Sequence, residues 1–111
     1  MPIWPLPPVP EEPRIRLIKW RIFEILPQGT RHFVGLNADD GTGRVSSPIE
    51  SFDAKALQGT TQSGRIYMLQ GRSGHADEAQ YVWDRWCHVG GVVEYLDVSK
   101  KVSSWGAYDH S

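Results

Sequence analysis

A chain of 111 residues, 40% apolar and 23% charged, is long enough to bury one hydrophobic core without help from a metal or a disulfide. Twelve basic residues against thirteen acidic ones leave a net charge of -1 and a pI near 6.4, which argues against nonspecific polyanion binding. The single cysteine, Cys87, excludes an intrachain disulfide, and no apolar run approaches the roughly 20 residues that span a bilayer, so no membrane contact and a cytoplasmic location are expected.

Residues 1–13 carry six prolines around Trp4, Leu6 and Val9. Each proline fixes its own backbone and restricts the residue before it, so the stretch reads as an extended N-terminal arm with Trp4 as a contact candidate. It lacks a basic n-region and is not expected to be a signal peptide. From Arg14 to Leu26, β-branched and aromatic residues alternate with charges, the pattern of a strand. Trp20 and Ile22 would share one face and Arg21, Phe23 and Ile25 the other. Neither face is purely polar, so a bulge or a covering by the arm is expected. Pro27-Gln28-Gly29 turns the chain into a second strand, 31–37.

Asp39-Asp40-Gly41-Thr42-Gly43 is the next turn, and residues 45–52 read as one strand marked as edge or bulge by Pro48. Thr60-Thr61 and residues 65–70 supply further strands. Between His75 and Gly91, Ala79, Val82, Trp83, Trp86 and Cys87 fall at helical period on one stripe. Asp77 and Glu78 suit the helix start, His88 suits its end, and Gly90-Gly91 supplies a stop. Residues 92–98 return as a last strand, and 99–111 form a polar tail in which Trp105 and Tyr108 are the docking candidates. Short glycine turns favour antiparallel neighbours. The fold class expected is α+β: a curved antiparallel sheet of four to six strands with one helix packed across one face. Residues 14–98 would form the single domain between arm and tail.

Chemistry is harder to find. His75, Asp77, Cys87 and His88 bracket the helix, but 1.5 Å of rise per residue holds its ends too far apart to share one ion. The Asn37–Gly41 turn lacks the later ligands of a calcium loop. No G-x-S-x-G, H-E-x-x-H or phosphate-loop motif occurs. No catalytic residue, metal or cofactor is assigned. Arginines follow turn glycines at Gly43-Arg44, Gly64-Arg65 and Gly71-Arg72. If the strand ends cluster, Arg44, Arg65 and Arg72, with Arg21 and Tyr67, would make a rim for an anion or a partner. On the helix, Tyr81, Arg85 and His88 lie away from the core stripe and are candidates for protein contact.

The pattern RHFVGLN…GTGRVSSPI-x-x-FD…T-x-SGRIY-x-L-x-G…D-x-x-x-YVWDRWC resembles a group of small proteins of uncharacterised function found in proteobacterial genomes and mobile elements. It covers Arg31 to about Val98. The resemblance implies a bacterial accessory protein and assigns no functional residue. The expected function is a noncatalytic binding or regulatory module acting through a protein partner. Homodimerisation by edge pairing of the first strand is a further expectation. A nucleic-acid-binding module using the arginine turns is one alternative. A small enzyme gathering His32 or His75 with an acid and a nucleophile is another.

Overall fold

A computed structural model describes residues 13–101 and the backbone of 107–109. The long first strand organises it. β1 (Arg14–Leu26) pairs antiparallel with β2 (Arg31–Asn37) along one side. At 13 residues it is long enough to carry two short strands end to end on the other. β6 (Ile66–Leu69) lies beside Arg14–Leu17, and β7 (Glu94–Asp97) lies beside Phe23–Leu26. β3 (Gly43–Val45) continues outward from β2. Beyond β6 come β5 (Gln58–Thr61), β4 (Ile49–Asp53) and β8 (Ala107–Asp109). The helix α1 (Asp77–Gly90) packs over β3 and β2. The α+β class and the single helix across a face are as the sequence predicts.

Three expectations are corrected. The sheet is mixed, because β1 and β6 run parallel; the chain between them returns through β2–β5, a connection long enough for a parallel neighbour. It also exceeds six strands. Pro48, unable to donate to a ladder, divides the expected 45–52 strand into β3 and β4, and part of the presumed tail adds β8. Ser99–Lys101 forms a 3-10 turn, whose Ser99 Oγ accepts from the Ile22 amide at 2.9 Å. Finally, β1 is central and flanked on both sides, so it has no free edge through which a dimer could form.

The expected bulge is present. Ile18 pairs with Leu36 and Arg21 with Val34, so one extra residue is accommodated in β1, and Lys19 adopts φ 47°. The parity switch explains the mixed faces. Ile15, Leu17, Trp20 and Ile22 point into one core, while Phe23 and Ile25 point into another. The first core is enclosed by the curl of the sheet: Phe33 of β2 meets Phe52 of β4 at 5.8 Å and Tyr67 of β6 at 5.4 Å. The sheet stays open. The second core lies between its other face and α1. A left-handed non-glycine residue costs about 1–2 kcal/mol. Lys19→Gly is therefore expected to stabilise the fold by roughly 0.5–1 kcal/mol, after the entropic cost of glycine, in a urea melt.

α1 buries Ala79, Trp83 and Cys87, with Val82 and Trp86 packed beside them. It ends on Gly91 at φ 71°, whose amide donates to the Cys87 carbonyl. Among the described residues no helix is long and apolar enough to cross a membrane. The arm and Trp4 lie outside the described residues.

Candidate functional site

Trp83 is the hub of the second core. It is fully buried and stacks on Trp86 at 5.3 Å and 11°. It also meets Phe23 at 4.9 Å and receives Tyr95 of β7 edge-on at 5.2 Å and 81°. His32 of β2 closes the group, 4.9 Å from Trp86 and 6.1 Å from Trp83. The Trp83 Nε1 is buried with no hydrogen-bond acceptor among the described residues. The cluster reaches the surface at Trp86, which is half-buried, and at β7, where Tyr95 keeps 37% of its surface.

The predicted arginine rim is not a surface feature. Strand alternation sends Arg44 to the side opposite Val45 and Arg65 to the side shared by Tyr67 and Leu69, which is the enclosed face of the sheet. Arg44, Arg65 and Tyr67 are all buried. Arg72 is exposed in the loop after β6. Arg21 is half-buried on the helix side, with its guanidinium carbon 4.7 Å from the Phe23 ring centroid and a hydrogen bond to Gln80. These five residues therefore do not converge on one solvent-facing site. Without Arg44, Arg65 and Tyr67, the nucleic-acid reading loses the surface that motivated it.

The helix candidates fare differently. Tyr81, Arg85 and His88 are exposed on α1. Sequence reasoning missed their neighbours. Among the described residues, the large apolar side chains left exposed are Tyr81 (61%), Val89 (60%), Val93 (91%), Tyr95 (37%) and Leu96 (49%). All fall within residues 81–96, on α1 and the segment through β7. The only sequence signal was the Val92-Val93 pair, of which a single-sided strand can bury just one.

The backbone of β7 carries a second feature. The Val98 amide donates to the Ile22 carbonyl at 2.9 Å, and the same register runs through the β1–β7 pair. Antiparallel pairs alternate. Glu94 and Leu96 thus turn their amides toward β1, while Tyr95 and Asp97 turn theirs outward. The Ile25 amide, opposite Tyr95, points the other way, to the Thr30 carbonyl of the β1–β2 turn at 2.8 Å. Among the described residues β7 pairs only with β1.

Acid–base chemistry is not assembled around the histidines. The His32 ring nitrogens meet the Ser46 carbonyl at 2.8 Å and Thr30 Oγ1 at 3.1 Å. His75 pairs with exposed Asp77 at the helix start. No group of three or more His, Cys, Asp and Glu among the described residues is placed to hold a metal. Burial, and after it Asp84, pushes the Cys87 thiol up to about 11, so it is protonated at neutral pH and packs as a small apolar group. In the Asn37–Gly41 turn, the Asp40 carboxylate accepts from the Thr42 amide and hydroxyl, which hold its pKa below the usual carboxylate range. That geometry is a turn's own hydrogen bonding.

Burial lowers the His32 pKa against a smaller opposing effect of its Ser46 hydrogen bond. The folded protein then binds fewer protons than the unfolded chain below the unfolded value of 6.5. Stability is complete above that value and is lost as pH falls through it toward the depressed folded value. The slope approaches about 1.4 kcal/mol per pH unit at most. Urea melts between neutral and mildly acidic pH are expected to show this fall in the wild type and a shallower one in His32→Gln. Equal slopes would remove His32 as its source.

Comparison of the chain with family models, with curated proteins and with solved structures returns no match in any of the three.

Proposed function

We propose that the chain is a noncatalytic binding module that docks a protein partner on residues 81–96, through the outer stripe of α1 and the β7 segment. The observation that carries this reading is the concentration of exposed large apolar side chains there. Tyr81 and Arg85 belong to the residue types that supply most binding energy in interfaces. Apart from Tyr95, which also meets Trp83 and Phe23, the exposed residues of this surface stand outside the two cores. We read the chain further, on its sequence pattern alone, as a bacterial cytoplasmic accessory protein.

Affinity capture from the host extract with wild type beside Tyr81→Ala, Val89→Asp and Leu96→Asp tests the reading. These positions are exposed, so the variants are expected to melt within about 0.5 kcal/mol of wild type. A partner retained by wild type and lost by the folded variants is the expected result. The same capture profile for all four proteins would overturn it.

A further inference from the structure

β7 is a step in the sheet. Along the first half of β1 the ladder continues through β6, β5, β4 and β8, whereas along the second half, among the described residues, it stops at β7. The other boundaries differ. β3 is a three-residue strand packed under α1, so closely that a Cβ on Gly43 would lie 2.7 Å from the Glu78 carbonyl oxygen. β8 is also three residues long. β7 has all four residues exposed and the N–H and C=O groups of Tyr95 and Asp97 directed outward. Its apolar side chains lie on both faces: Tyr95 beside the Trp83 cluster, and Leu96 on the opposite one.

Charge says what fits. β7 carries Glu94 and Asp97 and no base, while Lys100 and Lys101 stand just past its end in the 3-10 turn. Asp97 is held in place by accepting from the Ser99 amide at 2.9 Å and the Ser99 hydroxyl. A second copy must oppose outward-facing residues with outward-facing ones, so its two-fold axis passes through a residue: through Glu94 or Asp97 it sets that acid against its own copy, and through Tyr95 or Leu96 it gives neither acid a base. Sliding the copies to bring Lys100 opposite Glu94 would require the 3-10 turn to become strand. Like charges placed opposite one another are destabilising, and charged edges discourage self-pairing.

We propose that β7 accepts an extended segment of another protein as an added strand, with lysine or arginine opposite Glu94 and Asp97 and apolar side chains beside Tyr95 and Leu96. This rests on the binding-module reading and adds the chemistry of the partner. Main-chain hydrogen bonds would come from Tyr95 and Asp97, and selection against acidic strands from the two carboxylates.

The test is a titration of the isotope-labelled full chain, followed by amide NMR. The probe is a short synthetic peptide with terminal lysines flanking alternating valine and threonine. Controls are the same peptide with terminal glutamates and the same peptide N-methylated at alternate residues. Amide shifts centred on Tyr95 and Asp97 are expected with the lysine peptide and should vanish with the N-methylated one. The lysine peptide should bind about tenfold more tightly than the glutamate peptide, and Glu94→Lys should reduce or reverse that preference. No shifts, shifts centred elsewhere, or equal shifts from the N-methylated peptide would overturn the proposal. So would self-association of the chain alone through the same amides. Capture and titration are read separately: a chain that captures a partner through residues 81–96 yet shows no shifts at Tyr95 and Asp97 fails the edge proposal alone, and one that shows the shifts while every variant captures the same proteins fails the binding-module reading alone.

Discussion

Trp83→Ala is expected to remove about 3–5 kcal/mol of stability, a large share of the 5–15 kcal/mol typical of a domain. The indole is fully buried and is the one ring that touches α1, β1, β2 and β7 together, through Trp86, Phe23, His32 and Tyr95. Removing it leaves a cavity whose walls are themselves rings, three fixed to strands and one to the helix, so the site collapses poorly. Trp86 is only half-buried and leans on Trp83 from one side. Trp86→Ala should cost roughly half as much. Urea denaturation of the three proteins checks both figures. Equal losses at the two positions would mean that the hub has been misassigned.

Gly59→Ala is expected to cost about 1–3 kcal/mol despite adding one methyl group. A Cβ there would sit 2.6 Å from Phe33 Cζ and 3.0 Å from the Ser51 carbonyl oxygen. Phe33 cannot move aside freely, because Phe52 and Tyr67 pack against it within the curl. The absent side chain is what lets β2 approach β5 across the enclosed face. Gly74→Ala is the matched control: nothing lies within 4 Å of its Cβ, and it should melt within about 0.5 kcal/mol of wild type. If Gly59→Ala and Gly74→Ala melt together, the curl is looser than these contacts require.

Local pattern carried much of the fold. The helix was legible because its apolar stripe, its acidic start and its glycine stop agree, and α1 spans Asp77–Gly90. The bulge was legible because Trp20 and Ile22 on one parity and Phe23 and Ile25 on the other left neither face polar, and in the structure it sets Leu17 and Trp20 on the same face. What local pattern could not carry was which strands become neighbours. Nothing within residues 14–26 says that this strand takes two partners end to end on one side, or that one of them is parallel. The arginines were misread for a related reason. A Gly-Arg step looks like a turn flank, yet Arg65 shares alternation with Tyr67 and Leu69 and Arg44 opposes Val45, so both were readable as inward-facing had strand parity been given precedence over turn chemistry. The exposed surface at 81–96 left little trace, since isolated valines and a tyrosine are as common in cores as on surfaces.

The most direct test is native-state hydrogen exchange of the isolated chain, read amide by amide along β7. Glu94 and Leu96, bonded to β1, should exchange slowly, while Tyr95 and Asp97 should exchange near the rate of an unstructured chain. Protection of Tyr95 and Asp97 equal to that of Leu96 would contradict this, because it would mean that the outer side of β7 is already occupied and has no room for a partner.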